Sequence, residues 1–103
     1  MIGIYEDVFQ KVVQIEKKEG LHIIKTYQVN EKKFKCDIQP ITEKAIKYTW
    51  GEQIKSKLQM YSSEDLLIYD YIVNDNKIYK IEDKRDWKYY KIYALLEADV
   101  EVN

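Results

Sequence analysis

Between residues 34 and 40 apolar and polar side chains alternate without a break. Phe34, Cys36 and Ile38 fall on one side of an extended chain, and Lys35, Asp37 and Gln39 on the other. Successive side chains of a strand point to opposite faces, so this is a strand with one buried and one wet face. Ile54, Ser56, Leu58 and Met60 repeat the pattern against Gln53, Lys55, Lys57 and Gln59. Weaker strands are expected over 9–15 and 21–29, joined at KKEG, where Gly20 can take positive φ. NEKK (30–33), NDNK (74–77) and RDW (85–87) are expected as further turns. In NDNK the Asn and Asp residues tolerate the left-handed conformation of a tight turn.

The chain ends on the longest alternation: Tyr90, Ile92, Ala94, Leu96, Ala98, Val100 and Val102, with Glu97, Asp99 and Glu101 on the other face. At about 3.3 Å per residue such a strand reaches roughly 43 Å. A domain of this size, with a radius of gyration near 13 Å, is only about 34 Å across. Either the strand bends at a bulge near Ala94, or its end joins a neighbour's sheet. The second is our expectation, and it puts Val100 and Val102 in a subunit contact.

One short helix interrupts the strands. Pro40 and Thr42 supply its start, with Thr42 as N-cap, and Gly51 its stop. Ile41, Ala45 and Tyr48 share its apolar face. That stripe is too narrow to hold a helix unaided, so 42–51 is expected to pack partly on a neighbouring subunit or another partner protein, with Tyr48 and Trp50 as anchors. Six or seven strands at short spacing with one helical insertion predict a mainly β fold, a small antiparallel β-barrel (SH3-like or similar). A single domain is expected over residues 1–103.

The charge balance narrows the partners. Seventeen basic and 18 acidic residues are mixed along the chain for a net charge of −1. Nothing in that balance draws the protein as a whole toward nucleic acid or a lipid surface. No apolar run approaches the roughly 18 residues of a membrane span, and no signal peptide is expected from MIGIYEDVFQ. With Cys36 alone there is no disulfide framework within the chain, and folding in a reducing compartment is expected.

Catalytic chemistry finds little material. His22 is the only histidine and sits beside apolar positions; Cys36 lies on the apolar face of its strand. Together they fall short of the four ligands of a structural zinc site. The paired carboxylates Glu64–Asp65, Glu82–Asp83 and Asp99–Glu101 fall at expected turns or strand ends. Three scattered glycines build no phosphate loop. No enzyme activity, cofactor or metal is expected. A nucleic-acid-binding barrel is the rival reading, because WKYYKIY (87–93) puts Tyr89 and Tyr93 on one face with Lys91, as a base-stacking strand would.

The second half of the chain carries a pattern, DYIVNDNKIYKIEDKRDWKYYKIYALLEAD (70–99): strand, tight turn, Lys-Ile-Tyr-x-Ile strand, Asp-Trp turn, long final strand. It resembles the head-closure or head–tail connector proteins of tailed bacteriophages. DIQPITEKAIKYTWGE (37–52) is similar to the strand and Gly-closed insertion of the same family. The resemblance spans the last two-thirds of the chain, with Asp70, Tyr79, Ile81 and Trp87 at family-like positions. It implies a homo-oligomeric ring (stopper or collar) between portal or adaptor and tail proteins, with DNA at most as passing cargo. It further implies assembly in the bacterial cytoplasm into a virion or tail-like particle. A tail-terminator subunit is the alternative within the same kind of particle. Trp87 either plugs the barrel end or sits in an interface.

Overall fold

The computed structural model describes residues 7–99. Six antiparallel strands close in a ring: β1 (Asp7–Glu19), β2 (His22–Pro40), β3 (Leu58–Ser62), β4 (Tyr71–Asn74), β5 (Lys77–Asp86) and β6 (Lys91–Glu97). Their order around the barrel is β1-β2-β3-β6-β5-β4, and closure comes from β4 pairing back onto β1 through Gln10–Val73, Lys11–Ile72 and Val12–Tyr71. The mainly β fold expected from alternation is present.

Turn chemistry sets the register at two hairpins. Glu19 pairs with His22 across a two-residue turn whose first central residue, Gly20, has φ +60°. Asn74 pairs with Lys77, and both central residues, Asp75 and Asn76, are left-handed, as a type I′ turn requires. NEKK is not a turn. β2 runs straight through it, and three residues, Asn30, Glu31 and Lys32, bulge opposite Lys11 alone. The Asn30 carboxamide oxygen accepts from the Lys32 N–H at 3.0 Å, so the turn-forming side chain shapes a bulge instead of reversing the chain.

The predicted 54–60 strand is also shorter than expected, since pairing starts only at Leu58. Residues 55 and 56 are held by a side chain. The Glu82 carboxylate accepts from the Lys55 N–H (3.1 Å), the Ser56 N–H (2.8 Å) and the Ser56 hydroxyl (2.5 Å). Glu82 is itself the extra residue of a bulge in β5, between Ile81 paired with Leu95 and Asp83 paired with Ala94. A bulge thus does lie beside Ala94, but in the partner strand and not in β6.

Two cores result. Inside the barrel lie Phe9, Cys36, Met60, Leu66, Ile72, Tyr79, Ile81, Tyr93 and Leu95. Outside it, Trp50, Ile92 and Ala94 pack with Ile41, Ala45, Ile54, Tyr61 and Tyr90 beneath the helical insertion. β6 is therefore buried on both faces over Ile92, Tyr93, Ala94 and Leu95. Alternation alone placed only one of those faces in a core.

The insertion is one turn of α-helix, α1 (Glu43–Ala45), that widens into a π-helical turn over Ile46–Trp50. The Thr42 hydroxyl caps it, accepting from the Ala45 N–H at 3.1 Å, and Gly51 at φ +91° ends it. Widening changes the face. The Gly51 N–H reaches back five residues to the Ile46 carbonyl, and on that spacing Trp50 follows Ala45 into the core while Tyr48 turns outward.

Candidate interaction surface

Beyond Val12 on one side and the β2–β3 pairs on the other, β1 and β2 have only each other as strand partners among the described residues. Residues 13–28 form a two-stranded arm that projects from the barrel and contributes to a longest dimension of 51 Å against 29 and 24 Å. Directly opposed residues of antiparallel strands share a face. One face of the arm holds the pairs Val13–Gln28, Ile15–Thr26 and Lys17–Ile24. This face continues the barrel's inner surface past its rim, and Val13, Ile15 and Ile24 remain exposed there. Leu21, at the tip, is 99% exposed.

Strand direction fixes what stands beside the arm. β1, β3 and β5 all run toward the end of the barrel from which it projects. The β3–β4 loop (63–70) and the β5–β6 loop (87–90) therefore sit at that same end. The first exposes Leu67, Ile68 and Tyr69, the second Trp87 and Tyr89. Of the twelve large apolar side chains exposed among the described residues, only Val8 and Tyr48 lie elsewhere. Exposed apolar side chains gathered in this way mark candidate interaction surfaces.

The two loops are held, not loose. The Tyr93 hydroxyl donates to the Glu64 carbonyl at 2.7 Å and accepts from the Leu66 N–H at 2.9 Å. Burial first, then the nearby carboxylates, pushes that phenol up to about 12. Lys84 reaches the Leu66 carbonyl (3.1 Å) and Asp65 (3.3 Å), and Lys11 pairs with Glu64 at 2.6 Å. The Asp70 carboxylate accepts from the Leu67 N–H at 2.8 Å. Tyr69 has φ +76°, a left-handed conformation that a bulky side chain rarely adopts. Its ring stands 68% exposed, with the Lys80 ammonium 4.9 Å from its centre. The sparsely populated backbone conformation and the exposed aromatic ring thus coincide at one residue.

The expected interface residues divide. Trp87 is half exposed at the β5–β6 tip, and Tyr48 is exposed on the insertion. Trp50 is a correction: only 6% exposed, it donates through Nε1 to Gln59 Oε1 at 3.0 Å and lies under the Arg85 guanidinium at 5.2 Å. Its anchoring is within the chain. Val100 and Val102 lie outside the described residues. Of the family-like positions, Tyr79 and Ile81 point into the barrel core, and the Asp70 backbone pairs with Ile81.

Tyr93, read as a candidate stacking residue beside Tyr89, is fully buried. Arg85, the one arginine, is occupied by the Thr49 and Lys84 carbonyls (3.1 and 3.0 Å) and by Asp83 (2.9 Å). Cys36 is enclosed in the barrel, and burial, with Asp7 and Asp37 adding to it, pushes its thiol up to about 12. Fourteen residues of one strand separate it from His22, about 45 Å at roughly 3.3 Å each, so the two do not meet. Among the described residues no three metal-ligating side chains gather, and no helix is long and apolar enough to cross a membrane.

The sequence called attention to aromatic residues near the turns but missed the arm. The signals were there: Leu21, Ile23 and Ile24 crowd a tight turn, and the apolar run LLIY falls in a loop. No family model matches the chain, and no curated protein matches it.

Proposed function

We propose that the chain is a structural subunit of a head–tail connector ring, a head-closure, stopper or collar component of a tailed phage or tail-like particle. The single observation that carries the association half of this reading is the arm. A closed barrel leaves no strand edge for another chain to pair with, yet here two strands leave the closed sheet and open their edges again beside an apolar face. A two-stranded ribbon is marginal in water on its own, and an open edge invites pairing with another chain. Protein cover resolves both.

The particle half rests on the resemblance of 37–52 and 70–99 to connector proteins. It draws further support from the small helical content, which suits a connector better than a mixed α/β tail terminator. The nucleic-acid reading loses support from the burial of Tyr93 and the engagement of Arg85 within the chain. Localisation tests the proposal: antibody-labelled chain is expected at the neck of particles recovered from the source cell. Its absence from every such particle, or tight salt-sensitive binding to single-stranded nucleic acid, overturns it.

A further inference from the structure

Each strand of the arm leaves one edge open among the described residues, and the two edges differ. Open edges in folded proteins are commonly guarded by charge or by cover. That of β1 is guarded in both ways: residues 16–19 read Glu-Lys-Lys-Glu, and Leu66, Asp70 and Tyr71 crowd its base at Val13 and Gln14. That of β2 is not. From His22 to Asn30 it carries one lysine and five β-branched or aromatic residues, the composition of a strand that pairs. This straight run ends at the bulge that begins with Asn30.

We propose that the 22–30 edge pairs antiparallel with the same edge of a second copy, about a two-fold axis at Thr26. Turned on itself there, the run is self-complementary. Ile23 meets Val29, Lys25 meets Tyr27 and Thr26 meets Thr26, with no like charges opposed. Centring on Lys25 would set lysine on lysine. The β1 edge has no such solution. Centred on Glu16 or Lys17 it opposes like charges, and centred on Ile15 it reaches Val12, already paired with β4, after two residues.

Strand order says where the second arm lies. β3 occupies the lane beside β2 only between Pro40 and Asp37 and stops at Ser62; β6 occupies the next lane and begins at Lys91. A strand added to the 22–30 edge continues the lane and direction of β3, and its own β1 continues those of β6. The second copy's turn, with Leu21, then points at Ser62 and at the β5–β6 loop, where Trp87 and Tyr89 are exposed. Two marginal ribbons become one four-stranded sheet, and a single isologous contact serves both copies. The pairing deepens the association half of the proposed function, on which it rests, and it needs no particle.

Single-cysteine scanning of the purified full chain tests it; the buried Cys36 stays out of the reaction. About a two-fold axis, each step away from Thr26 separates the paired sites by two residues, about 6.6 Å. Disulfide dimer is therefore expected to peak at Thr26→Cys and to fall off at Ile24→Cys and Gln28→Cys on the same face. By sedimentation, Thr26→Lys and Thr26→Glu are each expected to weaken the dimer about fivefold, and an equimolar mixture of the two to restore it. Three results overturn the proposal: a monomer throughout the concentration series, a disulfide peak elsewhere in 22–30, or a dimer indifferent to charge at residue 26. A mixed disulfide between Glu16→Cys and Lys25→Cys copies, with none at Thr26→Cys, shows arms paired head to tail and likewise overturns it. Because purified protein is used, a negative result leaves the particle location untouched, and absence from particles leaves the dimer standing.

Discussion

The Tyr93 hydroxyl, buried in the barrel, accepts the Leu66 N–H at 2.9 Å and so ties a core strand to the loop that exposes Leu67, Ile68 and Tyr69. Replacement by Phe keeps the ring and deletes the tie, leaving a buried N–H without a partner. Tyr93→Phe is expected to lower stability by about 1–3 kcal/mol in urea titrations. Amide exchange at Leu66 should speed up beyond what the global loss explains. Unchanged exchange there would mean that the loop is held by Lys84 and Lys11 alone.

Trp50 makes a second, opposite prediction from the one its sequence position suggests. As an interface anchor its removal would leave the isolated chain's melting temperature alone. Packed against Ile92 and Ala94 and bonded to Gln59, it is part of the outer core. Trp50→Ala is therefore expected to destabilise the isolated chain by about 3–5 kcal/mol, read by thermal or chemical denaturation.

Glu82 holds two backbone N–H groups and a hydroxyl of residues 55 and 56, which have no strand partner among the described residues. Glu82→Ala should cost about 1–3 kcal/mol and open residues 51–57 to limited proteolysis. Loss of stability without new cleavage there would place its role elsewhere.

Two buried groups set the response to alkali. Cys36 rises from 9.0 and Tyr93 from 10.0, each to about 12, mainly through burial. Both are neutral in the folded chain where the unfolded chain has already lost the proton. The stability they contribute is thus complete below the unfolded values and is lost as pH rises toward the folded ones. Stability is expected to be level through neutral pH and to fall from about pH 9, at up to roughly 1.4 kcal/mol per pH unit for each group. Cys36→Ala should hold the profile level to about pH 10. A decline already under way at pH 8 would contradict this assignment.

Where one face of a strand is wet, the sequence spoke plainly: Phe34, Cys36 and Ile38 lie toward the core as their alternation requires. The same rule misled at β6. Tyr93 and Leu95 face one core and Ile92 and Ala94 another, so apolar residues run consecutively and no single alternation is right. NEKK has turn composition, and only the pairing of its flanks with Gln10 and Val12 makes it a bulge. The choice of Trp50 over Tyr48 depended on a five-residue backbone bond that composition does not announce. The interaction surface was the least legible, because it joins side chains from three segments that only the barrel's closure brings to one end.

The most direct test of the account targets the arm. Ile15 and Ile24 share its apolar face and touch neither core, so Ile15→Lys with Ile24→Lys should leave the melting temperature within a few degrees of the parent. Quantitative mass spectrometry of purified particles then counts the chain. A fixed, ring-like copy number is expected for the parent and near-complete loss for the double variant. Equal incorporation of the two proteins would contradict it.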